Sequence, residues 1–173
     1  MTRWLQRLLS GGVPPDFTGE LAEDENVLGH AAVAGGGRLV ATSLGLWVPD
    51  DDGVRRIGWH LISKATWSDG VLAVVEAAEQ ETVGQAVVLA DLPPRRFVLD
   101  RPGTVPRTVQ VRVTSSIRSR HHHDLPGGGA WFVQRKVPGR DGLLLQVRPD
   151  PGADRAALGR LAAEVAERLR SVE

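Results

Sequence analysis

GRLVATSLGLWVPDDDGVRRIGWHLISKATW, residues 37–67, is the stretch that decides the fold of this chain. In its first part the even positions from 40 to 48 are apolar apart from Thr42, and the run ends at the turn signal PDDDG. In its second part the apolar residues take odd positions, namely Ile57, Trp59, Leu61, Ala65 and Trp67. A period of two is typical of strands with one buried face. The stretch therefore predicts two strands, 38–48 and 54–67, joined by a tight turn.

Further runs of the same kind follow at intervals of about ten residues, separated by turn residues. They predict strands at 71–77, 85–92, 95–100, 107–121, 130–137 and 143–148. The run 107–121 alternates most regularly, with Val109, Val111, Val113 and Ile117 on one face. The acidic segment 76–81 is interpreted as helix or loop. Strands without intervening helices predict a mainly β fold, an antiparallel barrel or sandwich.

The last part of the chain changes to a helical pattern. Leu158, Leu161, Val165 and Leu169 recur at helical spacing, which predicts one amphipathic helix over 151–171. Asp150 is the expected N-cap and Pro151 the first helical residue. We expect this helix to cover the open end of the barrel. The predicted core includes Trp59, Leu61, Val111, Val113 and Leu161.

Composition excludes several classes of site. The chain has no cysteine, so disulfides, thiol nucleophiles and cysteine-liganded metal centres are excluded. Its serines lie outside any G-x-S-x-G context, and its glycine-rich stretches lack the spacing of a phosphate loop. These patterns predict a protein that is not an enzyme and that uses no cofactor.

The N-terminal segment 1–22 forms a separate region in this interpretation. Trp4, Leu5, Leu8 and Leu9 cluster on one helical face with arginines beside them, which is the pattern of an interfacial membrane anchor. The alternative is a terminal helix that packs on its own domain or on a partner. We expect a cytoplasmic protein, either free or peripheral to the inner face of the membrane.

Basic residues concentrate in the second half of the chain. Between Arg95 and Arg140 there are ten basic residues and two acidic ones, although the whole chain has a formal net charge of zero. If 107–123 and 129–137 pair as a hairpin, one face carries a predicted binding surface. It consists of Arg112, Arg118, Arg120, His122 and Lys136, beside Gln134, with Trp131 as an aromatic anchor. Such a face attracts anionic partners; alternatively, its arginines only protect a strand edge from aggregation.

The histidine run at 121–123 raises the question of a metal site. His121 and His123 project to the same side of a strand, so these two imidazoles are weak candidates for zinc or nickel ligands. No third ligand is evident in the pattern. We therefore expect no physiological metal.

The chain also resembles the bacterial pleckstrin-homology-like (PH-like) and GRAM-like domains. The resemblance rests on EDENVLGHA before the first strand, on GRLVATSLGLWV with its T-x-x-G-L order, on RRIGWHLISKATW, and on the closing helix. It covers about residues 23–170, with its specific part at 37–67 and the remainder matching by order of elements, and the predicted domain is 23–173. It implies two near-orthogonal antiparallel sheets rolled into a barrel, with a C-terminal capping helix, in a domain that binds without chemistry of its own.

These observations predict a non-enzymatic binding or scaffolding module with a protein partner. The alternative is a peripheral membrane module, in which the N-terminal helix and the basic face bind anionic lipid. A histidine-centred metal protein is the weaker third alternative. Nucleic acid and a small-molecule substrate are not expected as partners.

Overall fold

The computed structural model describes residues 12–172, and over these residues the protein is mainly β, with eleven strands and two α-helices. The strands are β1 Val27–Ala32, β2 Arg38–Thr42, β3 Gly45–Asp50, β4 Gly53–Gly58, β5 Ile62–Ser68, β6 Val71–Val83, β7 Ala86–Asp91, β8 Arg95–Val98, β9 Ile117–His123, β10 Ala130–Lys136 and β11 Leu143–Pro149. The helices are α1 Val105–Ser116 and α2 Arg155–Arg170.

The chain divides into two compact units. The first unit contains the described residues up to Glu76 together with Pro93–Thr114. The second contains Ala77–Leu92 and the described residues from Ser115 onward. Strand β6 therefore begins in the first unit and ends in the second.

The first unit contains two groups of antiparallel strands. Strands β1 to β4 pair in chain order, and β6 pairs with β5 on one side and with β8 on the other. The predicted turn at 68–70 is confirmed. Asp69 and Gly70 both have positive φ, at 50° and 75°, as a two-residue hairpin turn of type I′ requires.

Each long strand predicted from residues 37–67 is interrupted. Ser43 and Leu44 separate β2 from β3, and a 3₁₀ turn at Trp59–Leu61 separates β4 from β5. Gly45 follows the first break and allows β3 to lie close to β4, because a Cβ there would lie 2.3 Å from the carbonyl oxygen of Ile57 on β4. The T-x-x-G-L order therefore has a structural role.

One apolar cluster fills the first unit. It combines side chains from both groups of strands with one face of α1, and among its fully or nearly buried members are Leu39, Leu46, Ile57, Trp59, Ile62, Leu72, Phe97, Val105, Val109 and Val113. The predicted burial of Trp59 and Val113 is confirmed, whereas Leu61 is half-buried.

The prediction of a strand over 107–121 is wrong for its first part, because residues 105–116 form helix α1. Val105, Val109 and Val113 follow one another at four-residue spacing and face the core, whereas Val111 is 55% exposed. The valines at these positions fit both the period of two of a strand and the four-residue spacing of a helix face. Burial of the i, i+4, i+8 set stabilises the helix despite the β-propensity of valine.

The second unit consists of one sheet and one helix. From the second part of β6 the strand order is β6, β7, β11, β10, β9, and β7 pairs with β11 in parallel. The acidic segment 76–81 belongs to β6, so its interpretation as helix or loop is wrong. Helix α2 packs on the sheet through Leu158, Ala162 and Ala166, while Leu161 is half-buried beside them.

The C-terminal helix is confirmed but begins later than predicted. It starts at Arg155, and the Asp154 carboxylate, rather than that of Asp150, caps it by accepting a hydrogen bond from the Ala157 N–H at 2.9 Å. Its apolar residues join a cluster with Ala86, Val88, Phe132 and other side chains of the second unit. The helix that shares the core of the first unit is α1.

A buried carboxylate joins the N-terminal linker to the first sheet. The Glu25 side chain has no exposed surface and forms an ion pair with Arg56. It also accepts hydrogen bonds from the Thr42 hydroxyl at 2.5 Å and from the Trp47 indole N–H at 2.8 Å. Nearby, Phe17 packs edge-on against Trp47 with ring centroids 5.3 Å apart. The linker therefore packs on the sheet over its described part.

Substitutions on α1 test the helical assignment. We expect Val109→Ala to lower the free energy of unfolding by about 1–2 kcal/mol, because it opens a cavity in the core. Val111→Ala should be neutral or slightly stabilising, since alanine is the better helix former at an exposed position. Urea unfolding measures both variants, and equal losses would contradict the helix.

Removal of the Glu25 carboxylate tests how much this group stabilises the contact between the linker and the first sheet. Glu25→Ala should cost about 2–3 kcal/mol of unfolding free energy, because the buried Trp47 N–H loses its acceptor and Arg56 loses its ion-pair partner. The matched control is Glu23→Ala, which removes an exposed carboxylate from the same linker and should change stability by less than about 0.5 kcal/mol.

The same variant should alter the response to acid. Burial by itself raises the pKa of Glu25, but hydrogen bonds from Thr42, Ala22 N–H and Trp47, together with the Arg56 charge, hold it below the usual 4.5. A carboxyl of lowered pKa stabilises the fold above its unfolded pKa, and that contribution disappears as the pH falls through the folded pKa. Wild type should therefore lose more stability than Glu25→Ala below pH 4.5. Parallel stability curves for the two proteins would refute this linkage.

Candidate binding site at the β9–β10 hairpin

Strand β9 contains the histidine run and ends the sheet of the second unit. Among residues 12–172 it pairs only with β10. His122 lies opposite Trp131, His121 opposite Phe132 and Arg120 opposite Val133. Directly opposed residues of an antiparallel pair share a face. Arg120 and His122 therefore share one face with Trp131, while His121 and His123 lie on the other, as the alternation predicts.

Several parts of the predicted basic face are wrong. Arg112 lies on α1 and not on β9. Gln134 lies opposite Ser119, whose hydroxyl donates to its side-chain oxygen at 2.8 Å, so Gln134 is on the face opposite to Arg120. Lys136, two residues further along β10, shares the parity of Gln134. The prediction failed here because the pairing register of the hairpin, and not strand parity alone, determines which residues share a face.

A β-bulge also changes the position of Arg118. Gln134 pairs with Ser119 and Arg135 with Ile117, so β9 contains one extra residue between these pairs. Arg118 is that residue, and a bulge removes it from strict alternation. Like Arg120, it is exposed and lies on the end strand β9. The structure therefore brings Arg118, Arg120, His122 and Trp131 into one hairpin.

Part of the basic charge counted in the sequence is not on the surface. Arg135 is 2% exposed, and its guanidinium donates to the Ser116 hydroxyl oxygen at 3.0 and 2.6 Å. Burial, reinforced by the Arg148 charge, lowers the pKa of Arg135 to about 10. The exposed basic residues of this region are therefore fewer than composition indicates.

Trp131 is covered by its neighbours. The Arg120 guanidinium lies over the indole, 4.3 Å from the ring centroid, in a cation–π arrangement. The His122 ring packs against it with centroids 5.0 Å apart and an interplanar angle of 65°. Trp131 is consequently half-buried. Trp131 therefore contacts Arg120 and His122 instead of projecting freely into solvent.

His122 ties the hairpin loop to the segment before α2. Its Nε2 donates to Asp150 Oδ2 at 2.8 Å, and the same oxygen accepts the Gly129 N–H at 3.0 Å. Asp124 lies on the other side of the ring, 3.5 Å from Nδ1. The hydrogen bond from His122 chiefly holds the pKa of Asp150 below its usual value. Sequence reasoning assigned Asp150 to a helix cap and missed this contact, which no local pattern could reveal.

The glycines of this loop are required by close approach. A Cβ on Gly129 would lie 2.4 Å from both the His122 ring and the His123 carbonyl oxygen. Gly127 has φ of 80°, and a Cβ there would lie 2.6 Å from the Gly152 carbonyl oxygen. The run LPGGG therefore packs the loop against residues 150–153, as part of a hairpin turn.

The histidines do not form a ligand set with other side chains. His123 packs edge-on against Phe132, with centroids 4.9 Å apart. Within the part of the chain that the structure describes, no group of three histidine or carboxylate side chains is arranged to hold a metal ion. The expectation that the protein binds no physiological metal stays a prediction.

A small depression lies elsewhere in the second unit. It has a volume of about 120 Å³ and is lined by Gln134, Leu145, Leu169 and Arg170, among others. Of the predicted basic face it includes Gln134, but none of the five basic residues and not Trp131. The membrane anchor predicted at Trp4, Leu5, Leu8 and Leu9 lies outside the described residues.

Comparisons with protein-family models, with curated proteins and with solved structures return no match for this chain. No helix within residues 12–172 is both long enough and apolar enough to cross a bilayer.

Substitution of Gly129 tests the packing of the loop. Gly129→Ala should lower the free energy of unfolding by about 1–3 kcal/mol, because the added methyl group displaces the His122 ring or the strand backbone. The control is Gly159→Ala on α2, where a Cβ meets no neighbour within 4 Å and alanine should stabilise the helix by up to about 1 kcal/mol. Thermal unfolding of both variants checks the opposite signs; a stabilising Gly129→Ala would contradict the described contact.

Proposed function

We propose that the protein is a non-enzymatic binding module that recognises an acidic segment of a partner protein through the basic end of the second-unit sheet. One observation carries this proposal. Arg118 and Arg120 are exposed on the end strand β9, and neither forms an ion pair with a carboxylate among the described residues.

Pre-orientation supports Arg120 as the central contact. A guanidinium can bind a carboxylate through two parallel hydrogen bonds. Because Arg120 already rests on the Trp131 ring, less side-chain freedom is lost when a carboxylate binds. His122, whose ring is held by Asp150, packs against the same indole.

A protein partner fits this surface better than a lipid bilayer does. A membrane contact at this hairpin would use Trp131 as its aromatic group, and Trp131 is half-buried beneath Arg120 and His122. The predicted N-terminal anchor lies outside the described residues. An acidic protein segment requires only charge and accessible backbone. Membrane binding is therefore the alternative that the experiment distinguishes.

For the first unit we propose a PH-like β-roll. The order of elements supports it: strands β1 to β4, then β5, β6 and β8, and then a helix whose apolar face joins a core shared by both groups of strands. On this proposal the capping helix is α1 rather than the C-terminal helix. The second unit would then be an addition to that roll, and it contains the proposed binding surface.

Charge reversal tests the proposed function. Arg118→Glu with Arg120→Glu should weaken binding of labelled poly-glutamate at low salt by at least about tenfold, because two attractive contacts become repulsive. Wild-type binding should also weaken between 0.1 and 1 M salt, as the Debye length falls from about 10 to about 3 Å. Fluorescence anisotropy measures both effects.

The matched control carries the same charge change on α2. Arg160→Glu with Arg168→Glu reverses two exposed arginines that form no ion pair with described residues, and it should retain most of the binding. Equal loss of poly-glutamate binding in both double variants would show that the binding is non-specific charge attraction and does not depend on this site. Wild-type binding to phosphatidylserine vesicles but not to poly-glutamate would favour the membrane alternative.

A further inference from the structure

We infer that the acidic segment binds as an added strand along the free edge of β9, so that recognition uses main-chain hydrogen bonds as well as charge. This inference rests on the proposed function and specifies the conformation of the partner. β9 is the last strand of its sheet among residues 12–172, with β10 on one side. The outer edge of such a strand presents unpaired N–H and C=O groups that can pair with another chain.

The side chains of β9 determine which chain can occupy this edge. Residues 117–123 include two arginines and three histidines and no acidic residue. Two copies of β9 paired edge to edge would bring arginines close together, and like charges on neighbouring strands destabilise the pair. Residues 1–11 contain Arg3 and Arg7 and no acid, so this part of the chain does not complement β9 either. The occupant that fits is an extended acidic segment of another protein.

The bulge sets the length of the contact. Regular pairing with β10 extends from His123 to Ser119 and shifts at Arg118. A bulge bends its strand and interrupts a regular ladder. The added segment therefore pairs along Ser119–His123, with Arg118 at the end of the contact.

The alternation of side chains along a strand determines how the acidic residues of the partner segment must be spaced. Side chains two residues apart in a strand lie on the same face. Arg120 projects on the Trp131 face. A partner with carboxylates at alternate positions would place them all on this side, where one reaches Arg120 and a neighbour approaches Arg118. Acids at consecutive positions would send half of their charge to the other face.

Backbone methylation of a peptide separates strand addition from simple attraction. The parent probe is a short blocked peptide of alternating threonine and glutamate. Two isomers carry N-methyl groups on every glutamate or on every threonine, which leaves the charge unchanged. Because successive N–H groups point to opposite edges of a strand, each isomer blocks one edge. At least one isomer should bind wild type at least about tenfold more weakly than the parent, since several hydrogen bonds are lost together.

Amide hydrogen exchange gives a second readout. The parent peptide should slow exchange within residues 117–123 of the wild type, and the weakened isomer should not. Both isomers binding within about twofold of the parent, without protection of β9, would overturn strand addition while leaving charge-based binding intact. Failure of the parent peptide would also overturn strand addition. The proposed function is judged separately by poly-glutamate: it fails if that binding is absent, is independent of Arg118 and Arg120, or is lost equally in the α2 control variant.

Discussion

The buried carboxylate of Glu25 is the constraint on which the first unit most depends. A charge without solvent contact is stable only when ion pairs and hydrogen bonds replace its hydration, and Arg56, Thr42 and Trp47 supply them. Thr42 in turn accepts the Gly45 N–H at 3.2 Å, and its carbonyl oxygen accepts the Trp59 indole N–H at 3.0 Å. One acidic side chain thereby fixes the linker, the turn between β2 and β3, and the 3₁₀ turn after β4. Removing the Glu25 carboxylate leaves the buried Trp47 N–H without its acceptor.

The sequence predicted the strands where only one period fits the pattern. β7 and β10 lie within the predicted ranges and β11 exceeds its range by one residue, because their apolar runs are too short for helices and are bounded by glycine and proline. At 105–116 the prediction failed because the valines fit two periods. The choice between them depends on what covers the element, and for α1 the cover is a core of residues distant in sequence. The same argument explains the acidic segment of β6, whose partner strand determines its conformation.

For the candidate site, the sequence identified residue types but not their arrangement. Arg120, His122 and Trp131 were predicted and lie together. Arg112 lies on helix α1, and Gln134 was assigned to the wrong face because parity across a hairpin depends on the pairing register. The contact between His122 and Asp150 spans 28 positions of sequence and has no periodic signature. Local patterns constrain which face a residue takes on its own strand, and tertiary packing sets what lies opposite.

The arginines of β9 affect two properties of this edge, namely its protection from self-pairing and the kind of chain that can pair with it. An end strand without charge invites pairing with any other exposed strand, including another copy of the same chain. Arginines at the edge oppose self-pairing by repulsion, and the same charges leave acidic segments as the favoured occupants. Trp131 strengthens this selection because it keeps Arg120 at the strand surface instead of in free solvent. On the proposed function, protection from aggregation and choice of partner would both follow from one electrostatic arrangement, so evidence for the first does not argue against the second.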